Sequence, residues 1–155
     1  MRQFENVGLG GTFDRLHMGH KLFLDIAAHY GQNVHVGLIS PSYLDKIHKN
    51  YSEIIQSFQV RRIAVETFFS KRKTQCQITR IENPGMDRNL ASDAKLGALI
   101  VSQETCSGAN TINRLRTSKG KSKLTIIIVP RVVRTDGSLE SSTRLRKEEH
   151  EKSRS

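Results

Sequence analysis

The sequence predicts an α/β domain: a doubly wound, five-stranded parallel sheet with helices on both faces. Three observations predict it. Short apolar runs rich in β-branched residues alternate with stretches of helical period along the whole chain. Two of the runs, Ala98–Ser102 and Leu124–Val129, are apolar but for Ser102 and Thr125, the pattern of buried strands. No internal repeat, low-complexity block or linker interrupts the order, so one domain spans residues 1–155, and right-handed crossovers are the common way to join its parallel neighbours.

Phe4, Val7 and Leu9 give the first strand, and a glycine-rich loop from Gly10 to His20 follows it. Leu22, Phe23, Ile26, Ala27 and Tyr30 then recur at helical spacing. Val34, Val36, Leu38 and Ile39 form a second strand, and Ile54 to Phe69 returns to an amphipathic helix with Arg61, Arg62 and Glu66 on its polar side. Cys76, Ile78 and Ile81 alternate as a third strand, and Glu82 to Asp93 is a polar loop containing Pro84 and Gly85. The fourth strand is Ala98–Ser102, a helix covers Cys106 to Thr117, and the fifth strand, Leu124–Val129, stops at Pro130. A turn at Asp136-Gly137-Ser138 leads into a short helix beginning at Ser141, and the charged residues from about Lys147 to Ser155 are expected to fray.

A chain of 155 residues with 36% hydrophobic residues can build a core without metal or disulfide staples. Cys76 and Cys106 stand apart, as reduced thiols rather than a disulfide framework. No apolar run approaches membrane-spanning length and the first thirty residues lack a signal-peptide pattern, so a cytoplasmic protein is expected. Twenty-five Lys and Arg against fifteen Asp and Glu leave a net charge of +10, which favours polyanions and phosphorylated small molecules as partners. The basic residues are scattered and do not interleave with aromatic ones, which argues against a nucleic-acid-binding face.

The loop Gly10-Gly11-Thr12-Phe13-Asp14-Arg15-Leu16-His17-Met18-Gly19-His20 carries the most chemical information. It joins a strand to a helix at the carboxyl edge of the sheet, where doubly wound folds bind ligands. Glycines permit close approach of backbone to ligand, and a helix N-terminus offers unpaired N–H groups to an anion. His17 and His20 are three apart on one helix face, with no third ligand at zinc spacing, so phosphate contact, helix capping or packing are the readings they leave open. Asp14 reads as a turn or structural carboxylate. Ser141, Ser142 and Thr143 open a second helix start suited to phosphate, with Arg144 beside it. Gln103-Glu104-Thr105, after the fourth strand, reads equally as a turn and cap or as a contact to nucleotide; Arg114 and Arg116 divide the same way between nucleotide contact and solvation.

Gly11-Thr12-Phe13-Asp14 with His17-Met18-Gly19-His20, followed by Ser141-Ser142-Thr143-Arg144, resembles the nucleotidyltransferase superfamily. Val101 to Thr105, Ala109 to Arg116 and the Asp136-Gly137 turn resemble within it the archaeal and eukaryotic type of phosphopantetheine adenylyltransferase. The resemblance implies a Rossmann-like fold, ATP and 4′-phosphopantetheine as substrates, Mg²⁺ accompanying ATP, and no separate protein-held metal. It implies catalytic roles for His20, Thr12 and Lys46, with Lys49 the next match to the lysine. It places Gly11, Thr12, Phe13, His17, His20, Glu104, Ser141, Ser142, Thr143 and Arg144 on the nucleotide. A glycerol-phosphate cytidylyltransferase, an FMN adenylyltransferase or a non-catalytic nucleotide sensor would share much of this pattern. A monomer is the working expectation for the assembly.

Overall fold

A computed structural model of the chain describes residues 2–47, 54–83, 93–131 and 149–151. In chain order the elements are β1 (Phe4–Gly11), α1 (Met18–Tyr30), β2 (Gly31–Ile39), α2 (Pro41–Ile47), α3 (Phe58–Ser70), β3 (Gln75–Ile81), β4 (Ala98–Ser102), α4 (Cys106–Ser118) and β5 (Thr125–Val129). The five strands pair in the order β3-β2-β1-β4-β5, all parallel, as a doubly wound sheet requires. Val7 stands opposite Val34 on one side and Ala98 on the other, so β1 is central.

The chain first winds outward from β1 to β3, then starts again at β4 on the other side of β1. Helices therefore cover opposite faces, and alternate residues of β4 show it. Ala98 and Ile100 join a core with Leu24 and Ala27 of α1 and Val65 and Phe69 of α3. Leu99 and Val101 join a second core with Ala109 of α4 and Leu124. The reversal of strand order between β1 and β4 opens a crevice at their carboxyl ends, which is where α1 begins.

Four features differ from the sequence expectation. The helix read over Ile54–Phe69 starts at Phe58, because Ser57 caps it by accepting the Val60 N–H at 3.2 Å, and residues 54–57 form an approach outside it. Arg61 is not on the polar side; it is fully buried, while Arg62 and Glu66 pair at the surface. Arg116 is also buried rather than solvated or at the ligand edge. Its Nε donates to the Ser122 carbonyl and its Nη1 to the Asp93 carbonyl, both at 2.7 Å, which ties the approaches to β4 and β5 at the opposite end of the sheet. Lastly, α2 was not anticipated. Ser40 and Pro41 are its start signal: Ser40 Oγ accepts the Tyr43 N–H at 3.2 Å and proline occupies the first helical position, where its missing N–H costs nothing.

No helix among the described residues is long and apolar enough to cross a membrane. Both cysteines are free thiols, and burial pushes the Cys76 thiol up from 9.0 to about 11. A shift of this size leaves about 100-fold less thiolate at neutral pH, and the thiolate is the reactive form. Cys76 is therefore expected to alkylate with iodoacetamide about 100-fold more slowly in the folded chain than in urea, read by mass spectrometry of its peptide. Equal rates would place the thiol in water.

Candidate active site

The β1–α1 loop is held by an unusual backbone path. Phe13 and Arg15 both occupy the left-handed region, at φ 51° and 49°, which costs a side chain-bearing residue on the order of 1–3 kcal/mol. Two sets of interactions offset that cost. The Phe13 ring is buried beneath the loop, edge-on to His20 with centroids 5.4 Å apart. Asp14, fully buried, accepts from the Gln56 N–H at 2.9 Å and from Arg15 Nη1 at 2.9 and 2.7 Å.

Arg61 closes the arrangement from below. Its Nη1 donates to the carbonyls of Thr12 (2.9 Å) and Ile39 (2.8 Å), and its Nε to the Gln56 carbonyl (2.9 Å). One guanidinium thus joins the carboxyl ends of β1 and β2 to the approach of α3. Burial pushes Arg61 below its ordinary value, and the Asp14 carboxylate opposes that shift. A carbonyl turned down toward Arg61 leaves the Thr12 side of the loop oriented by the fold rather than by a ligand, which is preorganisation in the sense catalysis needs.

His17 caps α1. Its Nδ1 accepts the N–H groups of Gly19 (3.0 Å) and His20 (3.3 Å), so its proton is on Nε2. Its ring stacks on that of His20, with centroids 3.8 Å apart and planes 17° apart. Gly19 is needed for this: a Cβ there would lie 2.9 Å from His17 Cε1 and force the ring off the helix end. Capping and phosphate contact, alternatives on the sequence, are compatible in one imidazole, because each uses a different nitrogen.

Gly11, Thr12, Phe13, His17 and His20 are thus gathered on one loop and the first turn of α1. Lys46 is exposed in the last turn of α2, on the connection that leaves the carboxyl end of β2. Glu104 lies in the turn after β4 and forms an ion pair with Arg131, beyond β5. In the same turn Thr105 Oγ1 accepts the Ser102 N–H at 3.1 Å. Arg114 is on the surface of α4, donating to Thr111 Oγ1 at 3.1 Å. Ser141, Ser142, Thr143, Arg144 and Lys49 lie outside the described residues.

Sequence reasoning missed Arg15, Gln56 and Arg61 as the support of the loop. A signal for Arg61 exists: it occupies the apolar stripe Phe58, Arg61, Val65, Phe68, Phe69 at spacings of three and four, where a charge implies a buried partner set. No comparable signal marks Gln56.

The chain that carries this loop at the switch point of its sheet is similar to known proteins. The chain belongs to the cytidylyltransferase-like family, whose model matches residues 9–148. Within it, relatives are phosphopantetheine adenylyltransferases: that of Methanopyrus kandleri is 32% identical over 96% of this chain and 92% of its own length. That of Pyrococcus abyssi is 35% identical over 94% of this chain and 91% of its own. Among solved structures, a protein of unknown function from Archaeoglobus fulgidus superposes with a TM-score of 0.64 at 32% identity, covering 80% of this chain and 88% of that one. A lipopolysaccharide core biosynthesis protein from Thermoplasma volcanium superposes at 0.62 with 15% identity, covering 80% and 94%, and shares the fold.

Proposed function

We propose that this chain is a cytoplasmic adenylyltransferase that transfers AMP from ATP to 4′-phosphopantetheine, giving dephospho-coenzyme A and pyrophosphate. The observation that carries the reading is the His17–His20 pair seated on the α1 N-terminus at the sheet's switch point, in a chain with near full-length relatives of that name. An oxygen of the acceptor phosphate attacks the α-phosphorus of ATP in line. The bond to the β-phosphate bridging oxygen breaks, and pyrophosphate leaves with the electron pair. A phosphate monoester has its second pKa near about 6, so the attacking oxygen is already ionised at neutral pH and no general base is required.

The protein's task is then to place two anions together and to meet charge as it builds on the α-phosphate and leaving oxygens. In this reading His20 donates to the α-phosphate, His17 Nε2–H to the neighbouring phosphates, and Thr12 with the Gly11 and Phe13 backbone orients both reactants. Lys46 bridges donor and acceptor, and Ser141, Ser142, Thr143 and Arg144 hold the leaving pyrophosphate. Glu104 borders the nucleoside. Mg²⁺ would travel with the triphosphate and neutralise part of its charge. Asp14 is engaged by Arg15 and the Gln56 N–H, and in this reading phosphate oxygens and water would hold the Mg²⁺.

The test is pyrophosphate release from Mg·ATP with 4′-phosphopantetheine, beside CTP, FMN and glycerol 3-phosphate in place of each substrate. Release confined to ATP with phosphopantetheine supports the reading. Release with CTP or FMN instead reassigns the substrates, and none with any pair removes the chemistry.

The two uses of His17 separate by substitution. Asparagine is a good N-cap, so His17→Asn is expected to keep the folding stability, whereas His17→Ala loses about 1 kcal/mol in urea unfolding. Both delete the Nε2–H and are expected to weaken ATP binding by about 10-fold or more, the weight of one hydrogen bond to a charged group. Undiminished ATP affinity in His17→Asn would reduce His17 to a cap.

A further inference from the structure

The candidate active site lies at the carboxyl ends of the strands; their amino ends carry a second concavity. It is an open-sided cavity of about 460 Å³ lined by Arg2, Gln32, Asn33, Lys73 and Gln75. That volume falls in the range of small-molecule sites, roughly 300–1,000 Å³. Arg2 precedes β1, Gln32 and Asn33 lie at the start of β2, Lys73 is in the turn between α3 and β3, and Gln75 begins β3. Asn33 and Gln75 are register partners, which brings these separate stretches of chain to one place.

The lining suits an anion: it holds two cations, three carboxamides and no carboxylate. Neither Arg2 nor Lys73 has an acidic partner among the described residues, whereas the neighbouring Arg72 is paired with Asp25. Arg2 is oriented by donating from Nη2 to Thr74 Oγ1 at 3.3 Å, and Asn33 by donating to the Glu5 carbonyl at 3.2 Å. Lys73 adds an observation of a different kind. Its φ is 54°, in the left-handed region, where the Lys73 N–H donates to the Ser70 carbonyl and the Thr74 N–H to the Phe69 carbonyl, both at 3.2 Å, to end α3. Glycine is the usual residue at that place in such a helix end, because a Cβ there is strained. This chain carries instead a long cation that lines the cavity.

We infer that this cavity binds a phosphate-bearing small molecule, with Arg2 and Lys73 on the phosphate oxygens and the exposed carboxamides of Gln32 and Gln75 on its rim. Two cations match a phosphate dianion better than the single charge of a carboxylate, and hydrogen bonds from charged donors to phosphate are the strong ones. The polar lining gives an apolar ligand little to pack against. The cavity shares no residue with the proposed reaction, so a molecule held there is neither donor nor acceptor of the adenylyl group.

The test titrates inorganic phosphate into the full chain at constant ionic strength, with acetate as the carboxylate control, and follows the side-chain amide resonances of Gln32, Asn33 and Gln75. Phosphate is expected to shift all three saturably. Lys73→Gly should weaken that affinity by about 10-fold, the weight of one hydrogen bond to a charged group, while the thermal midpoint holds or rises because glycine relieves the left-handed backbone. Arg2→Gln, which keeps a donor for Thr74, should weaken it by a similar factor. Glycerol 3-phosphate is expected to bind at least as tightly as inorganic phosphate; binding of free phosphate alone would remove the small-molecule assignment. Shifts that never saturate, that acetate reproduces at the same concentration, or that persist undiminished in both variants overturn the proposal. So do saturable shifts confined to residues 10–20, which would put phosphate only in the candidate active site.

Discussion

Alanine at position 20 is expected to lower kcat for pyrophosphate release by about 100- to 1,000-fold, the usual loss when one preorganised donor to developing charge is removed. KM for ATP should move by only a few-fold, because an interaction strengthened in the transition state shows in kcat. The fold should tolerate the change. His20 is in the first turn of α1, alanine is the best helix former, and the cap in which His17 Nδ1 accepts uses backbone N–H groups that remain. What the variant loses is the imidazole lying flat on His17 and edge-on to Phe13. The check is steady-state kinetics beside urea unfolding of the same preparation. A variant with kcat within about three-fold of wild type, against the expected loss, would make His20 a packing residue.

The stability difference matters because the loop's support and its chemistry are carried by different residues. Those that read clearly in the sequence are the ones with a pattern: strands by apolar runs, α1 and α4 by their period, the loop by its glycines and paired histidines. The support is less legible. Asp14 and Arg61 meet only because β1, the approach to α3 and α3 itself converge in space, and Gln56 joins them through backbone groups that any residue possesses. α2 was hidden by its length, since seven residues are too few for a periodicity to register, although Ser40-Pro41 announces its start. Arg116 shows the same limit as Arg61. It is charged, so it reads as solvated, yet it continues the buried stripe of Ala109 and Asn113 and spends its donors on two backbone carbonyls.

Arg61→Met is expected to be the most destabilising substitution in the molecule's ligand edge, by about 3–5 kcal/mol, because it removes one member of a buried charged constellation and leaves the rest. Methionine approximates the stem but donates nothing, so the carbonyls of Thr12, Ile39 and Gln56 lose the hydrogen bonds that Arg61 supplies. For a domain of this size that corresponds to a fall of roughly 10 °C in the thermal midpoint. Arg61→Lys should fall between, since an ammonium keeps the charge near Asp14 but not the planar fork that reaches three carbonyls. The functional consequence follows from Thr12. With its carbonyl released, the loop has to be ordered by the ligand, and the cost of ordering is subtracted from the binding energy. ATP at about 100 times its Kd stabilises the folded wild type by about 2.7 kcal/mol, so at that same concentration a weakened Arg61→Lys should gain visibly less. Denaturant titrations with and without Mg·ATP measure both effects together. Equal stability of Arg61→Met and wild type would mean that the carbonyls find other donors and that burying the charge costs as much as its bonds return.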